Sequence, residues 1–172
     1  MTPREMEHVL ESIVIIVDTR EHITEDLKKR MNNTGYKYYR KCLNFGDYSA
    51  EYSVNGKIYS LESECVIERK MSLDEICSNF TKGRQRFERE FERARAAGAK
   101  IHLIVENGSY EKILTGDYRS RLSSDCLYSS LIAFCDRYNL TIHFCEPDTT
   151  PSLMRKIFYH HIRNTLKKEV DI

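Results

Sequence analysis

Apolar residues along the chain fall into short continuous runs, strict alternations and stripes at helical spacing. Residues 12–17 (Ser-Ile-Val-Ile-Ile-Val) are a β-branched run suited to a strand buried on both faces. Residues 22–33 place Ile23, Leu27 and Met31 four apart and predict a helix. Residues 36–61 turn to strands: Tyr36, Tyr38 and Tyr39, then Tyr48, Ala50, Tyr52 and Val54 in alternation. Asn55-Gly56 marks a hairpin, because a type I′ turn needs positive φ at both central residues. Lys57 to Leu61 is the returning strand, and Cys65 to Ile67 is another.

Residues 72–97 read as one helix, capped by Ser72 and closed by Gly98, with Phe87, Phe91 and Ala94 on its inner face. Arg84/Glu88 and Arg86/Glu90 are i,i+4 pairs assigned to its wet faces. A strand at Ile101 to Val105, a helix over 123–138, a strand at Leu140 to Cys145 and a last helix from Pro151 complete the pattern. Strands interleaved with helices predict an α/β fold, a mixed central sheet flanked by helices, in a single domain spanning residues 1–172.

The longest apolar run, Ile13 to Val17, is far too short to span a bilayer. Residues 1–10 carry Arg4, Glu5 and Glu7 and no apolar h-region, so no signal peptide and a cytoplasmic location are expected. Six cysteines without a Cys-x-x-Cys pair argue for reduced thiols, mostly small buried apolar groups, and against a zinc ribbon. The net charge of +1 lacks the basic surplus usual in nucleic-acid-binding proteins. Locally the balance differs. Residues 26–41 hold six cations against one acid, and residues 69–100 hold nine against five.

Two acids and a lysine carry the candidate chemistry. Glu68 and Lys70, as i and i+2 on a strand, share a face, and Asp47 opens a neighbouring strand. Carboxylates are hard oxygen ligands for Mg²⁺, which bridges to phosphate, lowers the pKa of bound water and stabilises charge developing on phosphorus. Lys70 would orient the attacking water, help deprotonate it if its pKa fell, or steady the transition-state charge. Asp18 ends a buried strand, where open α/β sheets place ligands. Asp74 falls in the first turn of the next helix, and Lys82, Arg84 and Arg86 cluster within it. By spacing alone, Glu68-Arg69-Lys70 also suits a solvated strand end.

Three motifs in order carry a resemblance: Val17-Asp18-x-Arg20-Glu21, Gly46-Asp47-Tyr48, and Val66-Ile67-Glu68-Arg69-Lys70-x-x-x-Asp74. Together they resemble the XPF-type structure-specific endonuclease domain, a branch of the PD-(D/E)XK nucleases. The resemblance implies a restriction-endonuclease-like fold and a Mg²⁺- or Mn²⁺-dependent DNA endonuclease acting at flaps, forks or junctions, as a homodimer. It implies Asp18, Asp47 and Glu68 as metal ligands and Lys70 as the catalytic lysine. Arg20, Glu21, Arg69 and Asp74 become supporting residues, and Lys82, Arg84 and Arg86 DNA contacts. The family usually has a glutamine four residues after the arginine matched by Arg84; here that position is Glu88. Cellular relatives carry helix-hairpin-helix motifs after this domain, for which the chain has no room, as in phage or mobile-element versions. The competing readings are a silent nuclease-fold DNA-binding or scaffold subunit, which would have lost the metal acids, and an unrelated α/β enzyme. Gly116-Asp117-Tyr118 repeats one triplet but reads as a loop, and adjacent His160-His161 do not share a helix face. His102 and His143 read as core histidines.

Overall fold

A computed structural model describes residues 1–168. Its strands are β1 (Val14–Asp18), β2 (Lys37–Lys41), β3 (Tyr48–Val54), β4 (Lys57–Ser60), β5 (Cys65–Lys70), β6 (Lys100–Glu106) and β7 (Leu140–Cys145). They form one mixed sheet in the order β2-β1-β3-β5-β6-β7, with β4 hydrogen-bonded to β3. β1 runs parallel to β2 and antiparallel to β3, while β5, β6 and β7 are mutually parallel. This is the α/β architecture expected, and among the described residues no helix is long and apolar enough to cross a membrane.

Helices cover both faces. On one, α1 (Pro3–Glu11), α2 (Glu25–Thr34) and α7 (Thr150–Lys168) bury Leu10, Met31 and Phe158 with Ile15, Val17, Ala50 and Ile67 of the sheet. On the other, α3 (Leu73–Phe80), α4 (Arg84–Ala96), α5 (Tyr110–Thr115) and α6 (Ser124–Tyr138) bury Ile76, Phe91 and Leu131 with Val66 and Leu103. Helix α1 is polar enough to escape the apolar pattern; a Thr2–Glu5 capping box and Pro3 start it. Helix α5 is too short for periodicity to reveal.

The single helix expected over 72–97 is two helices. Thr81 leaves helical geometry (φ −111°, ψ −93°) while its hydroxyl donates to the Cys77 carbonyl at 2.8 Å. Gly83, a poor helix former, then serves as the N-cap residue of α4. The break lets Phe80 and Phe87 pack edge to face, 5.8 Å apart, and both meet Phe134. The cysteines are all free, but only Cys65 and Cys77 are buried; Cys42 and Cys126 are exposed.

The sheet is weakest at its middle. β3 pairs with β5 through one residue pair, Tyr48 with Ile67, before turning away to β4. Ser49 bridges the widening gap by donating its hydroxyl to the Cys65 carbonyl at 3.1 Å. The C-terminal ends of β1 and β5 and the N-terminal end of β3 meet at this joint.

His102 and His143 stack half-buried between β6 and β7, with Nδ1 and Nε2 2.9 Å apart. Burial, then His143, Lys100 and His161, pushes His102 down to about 3, and burial also lowers His143. The folded state therefore holds both rings neutral, while the unfolded chain takes up protons below about 6.5. Stability is complete above that pH and is lost as pH falls through it. In urea denaturation, His102→Gln is expected to reduce the loss of stability between pH 7 and pH 5 by about 2 kcal/mol. An unchanged pH dependence would contradict the assignment.

Candidate active site

Asp47 stands at the joint in the sheet. Its N–H donates to Ile67 O and its carbonyl accepts from Asp18 N–H, each at 2.8 Å, which ties β1 to β5 through this residue. Its Oδ2 accepts the Arg69 N–H at 2.8 Å, so β5 aims the carboxylate as well as the chain. Gly46 makes the approach possible. Its φ is +74°, and a Cβ there would lie 3.0 Å from Val66 Cβ. The Gly46 N–H donates to Glu90 of α4 at 3.1 Å.

Glu68 and Lys70 project from one face of β5. Lys70 Nζ lies 2.5 Å from Glu68 Oε1 and 3.7 Å from Glu75 Oε1, over the ring of Phe87. Glu68 Oε2 is buried with no hydrogen-bond partner among the described residues. These groups line a cavity of about 280 Å³ between the sheet end and the helices α3 and α4. Arg20, Glu21, Asn79, Arg86 and Glu90 complete its walls.

The electrostatics follow from crowding acids away from water. Burial, with the Lys70 ammonium working against it, raises Glu68 to about 7. Burial and the adjacent Glu68 raise Asp47 well above the usual carboxylate range. Burial alone would lower Lys70, but the Glu68 and Asp47 carboxylates win and raise it. That direction keeps the proton on Lys70 for as long as the two carboxylates carry their charge beside it.

The profile of the ERCC4 domain matches residues 17–153, most of the chain. The protein belongs to the ERCC4 domain family. Its fold is similar to that of XPF from Aeropyrum pernix, with a TM-score of 0.61 over 86% of this chain and 19% identity. A structure of XPF from Aeropyrum pernix in complex with DNA is similar too, with a TM-score of 0.60 over 91% of this chain and 18% identity. The chain spans 61% and 66% of the length of those two chains. No curated protein sequence matches it significantly.

Within this ERCC4 domain the residues singled out by sequence divide into two groups. Arg20, Glu21, Asp47, Glu68, Arg69, Lys70 and Arg86 line the cavity. Asp18 reaches the end of β1 but not the cavity. Its buried carboxylate takes four hydrogen bonds, from Arg20 N–H (2.6 Å), Nε (2.8 Å) and Nη2 (3.2 Å) and from Leu43 N–H (2.7 Å). Burial works against its ionisation, but Arg20 holds it below the usual range. Asp74 faces the opposite side of α3, and Arg84 pairs with Glu88 at 2.9 Å on the solvent side. Lys82 also lies outside the cavity, on an open groove that Asp74 lines too.

Two cavity acids, Glu75 and Glu90, were not anticipated. Glu90, assigned to a wet face with Arg86, instead points inward, to Gly46 N–H and to within 3.8 Å of Arg20 Nη2. The signal was present: positions 87, 90, 91 and 94 form one i, i+3, i+4, i+7 face, and a glutamate on a core-facing stripe needs a polar partner. Glu75 caps Met71 N–H at 2.8 Å while its other oxygen faces Lys70.

Two supports reach in from the far face. Tyr48 donates to Glu21 Oε2 at 2.9 Å and accepts from Arg30 at 3.1 Å. Arg69 forms a two-pronged pair with buried Glu106 (2.8 and 2.5 Å), which also accepts from Thr150 at 2.6 Å. Gly46 and Gly56 both have positive φ, but only at Gly46 does added bulk meet a neighbour. Gly46→Ala is expected to lower stability by about 1–3 kcal/mol and by clearly more than Gly56→Ala, as measured by urea denaturation. Equal losses would show that Val66 does not enforce the glycine.

Proposed function

We propose that this ERCC4 domain is a divalent-metal-dependent DNA endonuclease acting at branched structures. The observation that carries the reading is half-buried Asp47 and buried Glu68 lining one cavity beside Lys70, with Glu68 Oε2 left unpartnered among the described residues. Among the described residues no group of three His, Cys, Asp or Glu is arranged to cage a metal. Two carboxylates nonetheless suit Mg²⁺ or Mn²⁺, because Mg²⁺ keeps several waters and takes further ligands from phosphate. Both carboxylates are also under-neutralised, which is the environment a dication relieves.

Asp47 and Glu68 are the residues that would hold the ion. Once bound, it supplies Lewis acidity toward the phosphate and a water of lowered pKa. Lys70 orients the attacking water and stabilises charge on the phosphoryl oxygens. Arg20 and Arg86 stand at the walls to fix the flanking phosphates. Asp18 acts through Arg20, as a positioning residue. Branch selectivity is supported by the motif resemblance and the family. A homodimer is supported by the exposed side chains of Tyr110, Leu114, Tyr128 and Ile132 on neighbouring helices α5 and α6, with Tyr110 and Tyr128 in contact at 5.8 Å.

End-labelled flap, fork, four-way junction and plain duplex DNA, incubated with Mg²⁺ and with EDTA, test the reading. Cleavage of the branched substrates with Mg²⁺ alone is expected. Asp47→Ala and Lys70→Ala should each lose about 100-fold or more of the rate while keeping the fold by circular dichroism. Full activity in both variants would overturn the assignment. Leu114→Glu is expected to shift a dimer to monomer in sedimentation, and a wild-type monomer would overturn the homodimer.

A further inference from the structure

The turn between α3 and α4 has two sides. Asn79 and Gly83 face the acidic cavity. Ser78 and Lys82 line an open notch on the far side, whose opposite wall is Arg119 and Ser120. Asp74 builds that wall. Its Oδ1 accepts the backbone N–H groups of Arg119 and Ser120, each at 2.8 Å, and its Oδ2 lies 3.6 Å from Arg119 Nε. The segment is also tied to itself, the Tyr118 hydroxyl donating to Leu122 O at 2.8 Å and the Leu122 N–H to Ser120 Oγ at 3.2 Å. A fixed loop thus holds out the Arg119 side chain, 97% exposed, across from Lys82, which is exposed.

We propose that this notch holds a backbone phosphate of the DNA substrate between Lys82 and Arg119, and that Asp74 is the positioning residue that builds it. The proposal rests on the nuclease reading and assigns Asp74 a place outside the catalytic cavity. Two cations from opposite walls of a notch that Ser78 also lines suit a tetrahedral oxyanion. Asp74 is countered by the two N–H groups it accepts, which tempers its repulsion of the phosphate and leaves Lys82 and Arg119 as the surplus of positive charge.

Binding of the whole protein to labelled branched DNA, read by fluorescence anisotropy in EDTA across a salt series, tests the notch without cleavage. The slope of log Kd against log salt should fall by about 1 for each cation removed in Lys82→Ala/Arg119→Ala. Asp74→Ala should lower the slope by about 1, and Asp74→Asn should restore it, because the amide oxygen still accepts both N–H groups. Unchanged slopes in the double variant, or equal effects of Asp74→Ala and Asp74→Asn, would overturn the proposal. Arg119→Ala is a surface change, so the test stands even where Asp74→Ala melts early. Wild-type cleavage with Mg²⁺ is scored separately. A notch-dependent slope without cleavage overturns the nuclease reading alone, cleavage with unchanged slopes or without binding in EDTA overturns the notch alone, and neither cleavage nor binding overturns both.

Discussion

Two carboxylates brought to one cavity beside a lysine, Glu68 buried and Asp47 half-buried, are the constraint on which this site depends. Left alone, Asp47 and Glu68 would separate or take up protons, since like charges in a buried place disfavour the ionised forms. Lys70 offsets only part of that cost: it occupies Glu68 Oε1 and leaves Oε2 open. The chain keeps the pair in place by making backbone, rather than flexible side chains, its anchor. Asp47 is bonded at its N–H, its carbonyl and its carboxylate to β5 and β1.

The surrounding polar contacts serve that placement. Asp18 and Arg20 pin the end of β1 to the Leu43 segment, so that Asp47 has a fixed neighbour. Glu90 reaches from α4 to the Gly46 N–H and fixes the helix layer against the joint. Arg69, Glu106 and Thr150 link the outer side of β5 to β6 and the start of α7. Breaking a buried pair of this kind costs about 3–5 kcal/mol, because it strands a charge. These links run through both helical layers, so rigidity at the site belongs to the whole fold.

Much of this was legible in the sequence, and the parts that were not share a cause. The β-branched run at 12–17 and the alternation at 48–54 placed the strands because strand burial has a strict period. The facing of Glu68 and Lys70 followed from the same period. The break at Thr81–Gly83 was missed because the apolar stripe continues across it, and only the threonine back-bond and the glycine reveal the end of α3. Asp18 and Asp74 carry motif positions, but where a carboxylate points depends on N–H groups far away in the chain. Leu43 holds one and Arg119 the other. Glu90 and Glu75 entered the site by helix packing, which a motif search along one strand does not sample. The near-zero net charge is explained by the same geometry. Glu21, Asp47, Glu68, Glu75 and Glu90 are gathered at one cavity, where they offset Arg20, Arg69, Lys70 and Arg86.

The central claim is that the Asp47–Glu68 pair is built to take a divalent cation. Crystals grown with Mn²⁺ and measured at its absorption edge test it most directly. The account predicts an anomalous peak in the cavity lined by Asp47, Glu68 and Lys70, absent in Glu68→Gln crystals. A peak confined to other residues, or none at saturating Mn²⁺, would contradict it.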